Sequence, residues 1–142
     1  GRLEGALRAL DFPIRASTRN PIDLGAAGAG MTQETRMGLI RELIISGEFD
    51  ALLLHGMCMA GFLTEKSPPD HELMIRYNKE MVKESIEMGR EEGVPVFPMS
   101  YTTGQESQIY KELCEEGITI YNRTEDAAAI LAALRRYHGR RG

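Results

Sequence analysis

The stretch that decides the fold is FDALLLHGMCMAG, residues 49–61. Its successive apolar residues at positions 51–54 are typical of a strand that is buried on both faces of a parallel sheet. A loop follows directly, from His55 to Gly61. Ligands of open α/β sheets bind just beyond the carboxyl ends of strands. This stretch therefore predicts both a core strand and a loop in which chemistry should be sought.

Helix-forming patterns lie on both sides of this strand. Upstream, Thr32 can cap a helix that Gly47 ends, and the apolar residues of that helix recur at helical spacing: Met37, Ile40, Leu43 and Ile44. Downstream, the SPPD segment at residues 67–70 predicts a helix start, because a hydroxyl cap, proline and an acid suit the first turn. We expect this charged helix to run to about Glu92 and to end at Gly93.

The alternation of strands and helices continues towards the C-terminus. Residues 94–97, VPVF, predict a second strand, in which Pro95 marks the start or an edge, and residues 118–121, ITIY, predict a third. The helix between them follows Gly104 and stops at Gly117, with three residues turned inward: Ile109, Tyr110 and Leu113. A last helix begins at Thr124 and ends at Gly139. Four of its residues are predicted to face inward: Ala127, Ile130, Leu131 and Leu134.

This order predicts an α/β protein. Strands that alternate with helices form a parallel sheet through right-handed crossovers. The segment NPIDL, residues 20–24, is a candidate for one more strand.

The composition excludes several classes of protein. The chain has 142 residues, of which 42% are hydrophobic, and a net charge of −4, which suits one folded domain rather than disorder. No run approaches the ~18 apolar residues of a membrane span, and the acidic balance argues against general nucleic-acid binding. The 2 cysteines give no disulfide framework, and the charged start GRLE lacks the apolar core of a signal peptide. We therefore expect a cytoplasmic protein with no membrane and no nucleic acid among its partners.

The first candidate site is the small-residue loop GAAGAG, residues 25–30, which opens a helix. Small residues let the backbone approach an anion, and the N–H groups of a helix start point towards it. The spacing of Gly25, Gly28 and Gly30 matches neither the dinucleotide fingerprint nor a P-loop. Two interpretations stay open, namely a phosphate contact and a tight turn that needs glycine for packing.

The other two candidate loops follow the first two strands. His55 could be an acid–base group or a phosphate contact, or a hydrogen-bonded structural residue. His55, Cys58 and His71 hint at metal spacing, but no fourth ligand is near, so we expect no metal. The loop SYTTGQES, residues 100–107, is similar in composition to flavin-phosphate loops, although a helix cap is the favoured role. Cys58 could have a lowered pKa at a helix start, yet no acid–histidine pair supports it, so no catalytic residue is assigned.

Several segments, taken in order, resemble the ADP-forming (NDP-forming) acyl-CoA synthetases, which are relatives of succinyl-CoA synthetase. RNPIDL, residues 19–24, is similar to an R-N-P-V-D-L stretch in the C-terminal CoA-ligase domain of that family. Residues 49–54 and 94–96 resemble two of its strands, and LCEEGITIY at 113–121 resembles its L-x-x-x-G-I-P-v-y segment. Residues 125–137 resemble its last helix, so that the likeness covers about residues 19 to 137.

The resemblance implies a flavodoxin-like three-layer α/β sandwich with a mainly parallel sheet. It also implies one domain over residues 1–142 that belongs to a larger enzyme or is a split subunit. That family converts acyl-CoA, ADP and phosphate into acid, CoA and ATP through a phosphohistidine on another domain. The resemblance carries over these phosphate-binding residues: Gly25, Ala26, Ala27, Gly28, Gly56 and Met57. His55 is a further, possible polar contact.

The same resemblance assigns the cofactors and partners to the full enzyme. We expect no cofactor on this domain alone, while CoA and ATP or ADP are implied for an assembly with CoA-binding and ATP-grasp domains. Acid–CoA ligase activity is therefore expected only with those partners. The alternative is a non-catalytic assembly or small-ligand-binding module on the same fold, with an exposed apolar patch from Met57, Met59 and Phe62. Self-association is left open, and flavin binding is a third interpretation.

Overall fold

The computed structural model describes residues 2–9, Ser17 and residues 19–139. Within them the chain is a mixed α/β protein. Its helices and strands, in chain order, are α1 (Arg2–Ala9), α2 (Gln33–Ile45), β1 (Leu52–Leu54), α3 (His71–Glu91), β2 (Val96–Pro98), α4 (Gln108–Glu115) and α5 (Thr124–Gly139). The loop at Gly25–Gly30 forms a short 3-10 helix.

Local sequence signals place most helix ends where they were predicted. Thr32 caps α2, because its side chain accepts a hydrogen bond from the N–H of Thr35, and Ser107 caps α4 in the same way through Tyr110. Gly47 follows α2 and Gly93 follows α3, both with positive φ, which glycine adopts at little cost.

The sheet confirms the parallel arrangement but is smaller than predicted. β1 and β2 lie side by side, with Leu52 N–H donating to the Pro95 carbonyl (2.9 Å) and Met99 N–H donating to the Leu54 carbonyl (2.8 Å). Both strands therefore run in the same direction. The sheet has two strands in the described part of the chain, so a three-layer sandwich is not established by it.

The prediction of a third strand at 118–121 was wrong. Tyr121 makes one parallel bridge to Met99, through its N–H to the Pro98 carbonyl (3.0 Å) and through Ser100 N–H to its own carbonyl (2.9 Å). For the ladder to extend further back along both strands, Pro98 would have to donate an N–H group, and proline has none. The ladder therefore ends after a single bridge. The candidate strand at 20–24 is likewise limited to an antiparallel bridge between Ser17 and Asp23.

The chain divides into two compact units, each with its own buried residues. The first unit comprises Gly1–Leu52 and Lys83–Pro95, in which α1 contacts α2. Its core residues are Leu3, Leu7, Leu39, Ile40, Leu43, Ile44, Leu52 and Val94. This arrangement confirms the predicted inward positions Ile40, Leu43 and Ile44.

The second unit comprises Leu53–Val82 and Val96–Gly142 and holds the loops that follow both strands. Its core residues are Cys58, Ile75, Met81, Val82, Phe97, Met99, Ile109, Leu113, Ile120 and Ala127. Burial of Ile109 and Leu113 was predicted. The prediction for α5 was wrong at two positions, because Ile130 and Leu134 are exposed.

No helix of the described residues combines the length and the apolar character that crossing a membrane requires.

Candidate functional site

The glycine loop of the first unit uses several of its polar groups internally. Gly25 has a φ of +53°, and its N–H donates to the carboxylate Oδ1 of Asp23 at 2.8 Å. The N–H of Gly28 donates to the Leu24 carbonyl at 3.3 Å, and the Gly28 carbonyl accepts from the Arg36 guanidinium at 2.7 Å. A carboxylate thus already lies on the first amide of the loop, where a phosphate would have to replace it.

A side chain would clash with its surroundings at Gly28 but not at Gly30. A Cβ atom on Gly28 would lie 2.9 Å from the Cβ of Leu24, which is closer than real Cβ contacts allow. Gly30 has nothing within 4 Å of the same position, so a side chain fits there. The predicted interpretation of a turn that needs glycine for packing is therefore supported at Gly28.

In the second unit, the loops after β1 and β2 are held together by backbone hydrogen bonds. Met57 N–H donates to the Met99 carbonyl at 3.0 Å. Further along, Gly61 N–H donates to the Glu106 carbonyl at 2.7 Å, and Gln108 N–H donates to the Gly61 carbonyl at 2.9 Å. These are the carboxyl ends of two parallel strands, which is where α/β proteins bind ligands.

An aromatic pair lies at this edge of the sheet. The rings of His55 and Tyr101 have their centroids 4.0 Å apart at an angle of 54°, and Tyr101 is 83% exposed. Gly56, next to His55, is exposed and has a φ of +78°. The pair and the glycine form the accessible rim of this edge.

Next to Tyr101 in the chain, a network of uncharged polar groups ties three segments together. Ser100 is fully buried, and its hydroxyl accepts from Thr102 N–H at 3.0 Å. The side-chain amide of Asn122 donates to the carbonyls of Ser100 (3.3 Å) and Thr102 (2.6 Å) and accepts from the Tyr110 hydroxyl at 2.8 Å. Burial raises the pKa of Tyr110, so it remains a neutral donor. Asn122 was not predicted, although its position directly after an apolar run is a usable signal.

Cys58 is placed as a core residue and not as a nucleophile. Its side chain is 6% exposed. Burial raises the pKa of its thiol to about 11, against a weaker opposite effect of a hydrogen bond with Ser100. A reactive cysteine needs the opposite shift, because the thiolate is the attacking species.

A charged cluster that sequence reasoning missed lies on α3 and α4. The Lys79 ammonium contacts the carboxylates of Glu112 at 2.6 Å and Glu116 at 2.8 Å. Gln108 links this cluster to the loop after β1, since it donates to Glu112 (2.7 Å) and accepts from Leu63 N–H (2.8 Å). The pKa of Lys79 is raised and that of Glu112 is lowered by these hydrogen bonds, so both stay charged near neutral pH. The arrangement holds the loop in place, and its two carboxylates and one ammonium leave the cluster with one negative charge in excess.

The predicted site residues belong to different units. Gly25, Ala26, Ala27 and Gly28 lie in the first, and His55, Gly56 and Met57 lie in the second. Of the second group, Met57 donates its N–H inside the protein, while His55 and Gly56 are exposed. The described residues contain no group of three or more histidine, cysteine or acidic side chains that could hold a metal ion.

Comparison of the chain with protein-family models, with curated proteins and with solved structures found no match.

Proposed function

We propose that the chain is a CoA-ligase domain of an ADP-forming acyl-CoA synthetase, built on a flavodoxin-like framework. In that role it contributes backbone from its loops to a phosphohistidine site that partner domains complete. The observation that carries the proposal is the pair of loops at 55–61 and 99–107, which are joined through Met57 N–H and the Met99 carbonyl at the carboxyl ends of parallel strands.

The order of the resembling segments also supports this function. Residues 49–54 include β1, residues 94–96 lead into β2, and residues 125–137 lie within α5. A parallel strand–helix–strand unit thus falls on the part of the chain where the family has one.

The chemistry required of such a domain suits the groups present. Backbone N–H groups and helix starts stabilise a phosphoryl dianion without an ionisable side chain of their own. Exposed Gly56 and the His55 ring can reach an anion directly. In the glycine loop, an anion would compete with the Asp23 carboxylate for Gly25 N–H. Partner domains supply the histidine, the nucleotide site and the CoA site.

The experiment is to tag the chain in its native source, to isolate the intact assembly and to assay ATP formation from ADP, phosphate and acyl-CoA. Gly30→Glu places a carboxylate beside the glycine loop without a steric clash, whereas Gly28→Glu would collide with Leu24. Gly5→Glu is the matched control, since Gly5 lies in α1 and also has nothing within 4 Å.

We expect Gly30→Glu in the first unit and His55→Glu in the second each to lower the rate of ATP formation at least about tenfold, because each adds a negative charge to a loop that we propose to contact phosphate. Gly5→Glu should leave the rate unchanged. Full activity in both site variants would contradict the proposal, and so would an isolated assembly with no ligase activity.

One observation favours the alternative function as an assembly module. Large apolar side chains of the second unit are exposed on the loop after β1 and on the first half of α3: Phe62, Leu63, Leu73, Met74 and Tyr77. Of the patch predicted from sequence, Phe62 is exposed, while Met57 and Met59 are half-buried. If the purified chain has a partner but the assembly lacks ligase activity, and Phe62→Ser releases that partner, this second function is the correct one.

A further inference from the structure

Tyr101, on the rim, is unusually open to solvent. Among the large hydrophobic residues that the structure describes, Tyr101 is 83% exposed and the next, Tyr137, is 52% exposed. An aromatic ring in water forgoes the favourable free energy that its burial would give. Tyr101 lies in the loop after β2, at the carboxyl end of a parallel strand, where α/β proteins bind ligands. Packing of the protein's own core therefore does not explain this side chain.

Hydrogen bonds fix the backbone on both sides of Tyr101. Ser100, which precedes it, is fully buried, and its N–H donates to the Tyr121 carbonyl at 2.9 Å. Thr102, which follows it, donates its N–H to the Ser100 hydroxyl at 3.0 Å, and its carbonyl accepts from the Asn122 amide at 2.6 Å. The ring is thus presented from a fixed loop, so that little of the protein has to be ordered when a ligand binds.

His55 restrains the ring itself. The two ring centroids are 4.0 Å apart and the ring planes meet at 54°, which is a close, tilted contact. A tyrosine side chain has two rotatable χ angles, so this contact limits the orientations that the ring can take. Since Tyr101 is 83% exposed in spite of this contact, much of its ring surface is open to a second planar ring.

The polar atoms of the pair can bind the edge of such a ring. In the part of the chain that the structure describes, no hydrogen bond engages the Tyr101 hydroxyl or the imidazole nitrogens of His55. A phenolic hydroxyl both donates and accepts, and a neutral imidazole has one donor nitrogen and one acceptor nitrogen. The rim therefore combines an open aromatic face with hydrogen-bonding groups, which suits a planar ring that carries donors and acceptors at its edge.

We propose that the pair of His55 and Tyr101 is a stacking platform for the base of a small nucleotide. Every nucleobase has a π face that stacks on aromatic side chains, and its edge carries hydrogen-bond donors and acceptors. Next to His55, Gly56 has nothing within 4 Å of the position of a Cβ atom, which leaves room for the sugar. The net charge of −4 favours a single nucleotide over a nucleic-acid strand, because strands bind through many basic contacts to phosphates.

The test is a titration of the isotope-labelled full chain with AMP, followed by nuclear magnetic resonance of the ring protons of His55 and Tyr101. Stacking should shift the Tyr101 signals upfield, because the ring current of the base acts on protons that lie over its face. We expect a saturable shift at AMP concentrations up to about 10 mM, which detects a Kd in the millimolar range. Ribose 5-phosphate has the sugar and the phosphate without the base, and it should leave the ring signals unchanged.

Variants separate the ring of Tyr101 from other effects of AMP. Tyr101→Ala, followed through the His55 signals, should raise the Kd for AMP at least about fivefold, because one base–aromatic stack is lost. Tyr101→Phe keeps the ring and should retain more of the affinity than Tyr101→Ala. Tyr137→Ala is the matched control, since it removes another exposed tyrosine ring, on α5, and it should leave the Kd unchanged. Far-UV circular dichroism shows that each variant keeps its helices.

Three results would each overturn the proposal. These are the absence of any shift of the Tyr101 ring signals with AMP, equal shifts with AMP and ribose 5-phosphate, and a Kd that Tyr101→Ala leaves unchanged. The platform is additional to the nucleotide site that the proposed function assigns to partner domains. Because the titration needs neither those domains nor ligase activity, this proposal and the proposed function fail independently.

Discussion

Cys58 should be far less reactive than an ordinary thiol in the folded protein. Burial raises its pKa to about 11. At pH 8 about one Cys58 side chain in a thousand is then a thiolate, against about one in four for an ordinary thiol of pKa 8.5. The difference in thiolate is roughly 240-fold. A more basic thiolate attacks faster, which recovers about tenfold, so a net deficit of roughly 20-fold remains.

Steric protection adds to this deficit. Because Cys58 is 6% exposed, a reagent must wait for a local opening of the loop before it reaches the sulfur. The 20-fold deficit is therefore a lower limit. Cys114 is exposed, so the two cysteines of the chain should differ strongly in reactivity.

The assay is alkylation by iodoacetamide at pH 8, followed by intact mass. Cys114→Ser isolates the reaction of Cys58, and Cys58→Ala isolates that of Cys114. We expect Cys58 to react at least about 20-fold more slowly than a model thiol in the folded state, and at the same rate in urea. If folded Cys58 reacts as fast as a model thiol or faster, the assignment as a core residue is refuted and a nucleophilic role becomes viable.

Three further predictions concern stability, each measured by urea unfolding. Leu113→Ala should lower the free energy of unfolding by about 2–5 kcal/mol, because Leu113 is fully buried, while Leu73→Ala at a 38% exposed position should cost less than about 1.5 kcal/mol. Lys79→Met should cost roughly 1–2 kcal/mol at neutral pH through its lost bonds to Glu112 and Glu116. Because the pKa of Glu112 is lowered, this stabilisation is lost as pH falls from about 4.3 through the lowered pKa. Because the pKa of Lys79 is raised, the stabilisation is also lost as pH rises from about 10.4 through the raised pKa. Asn122→Leu should cost about 1–3 kcal/mol, because the Ser100 and Thr102 carbonyls lose their donor.

Each stability prediction has a result that contradicts it. Equal costs for the two leucine variants would place Leu113 outside the core. A Lys79→Met effect that is the same at neutral and at acid pH would show that packing, and not charge, sets its cost. An Asn122→Leu variant with an unchanged free energy of unfolding would mean that the network of Ser100, Thr102 and Asn122 does not stabilise the loop.

The helices were largely predictable because their signals are local. A hydroxyl at Thr32, apolar residues at helical spacing and glycines at Gly47 and Gly93 act within one or two turns, and the structure follows them. Strand pairing depends on a partner elsewhere in the chain. The ITIY segment has the composition of a strand, but the absence of an N–H at Pro98 limits it to one bridge, which the segment itself does not encode.

The α5 error has a related cause. Helical spacing predicts which residues share a face, and Ala127, Ile130, Leu131 and Leu134 do share one. It does not predict whether the chain has another element to cover that face. Ala127 is covered, whereas Ile130 and Leu134 are exposed.

The position of the candidate loops in the fold was more predictable than the hydrogen bonding of their individual groups. The loops after the first two strands were correctly expected at one edge of the sheet, because parallel strands end on the same side. Whether each backbone N–H of these loops is already hydrogen-bonded within the protein was not predictable. Whether Met57 N–H donates to the Met99 carbonyl depends on a contact between residues far apart in sequence.

The groups that the structure brings to this edge limit what the chain can do chemically. Ser100, Thr102 and Asn122 are uncharged and already hydrogen-bonded to one another, and the buried thiol of Cys58 stays protonated. Such groups fix the shape of loops and stabilise charge through dipoles, but they do not transfer protons near neutral pH. His55 on the rim is an exposed imidazole of this edge. A site of this kind gains catalytic power when another domain brings the reacting group to it, which is the role that we propose for this chain.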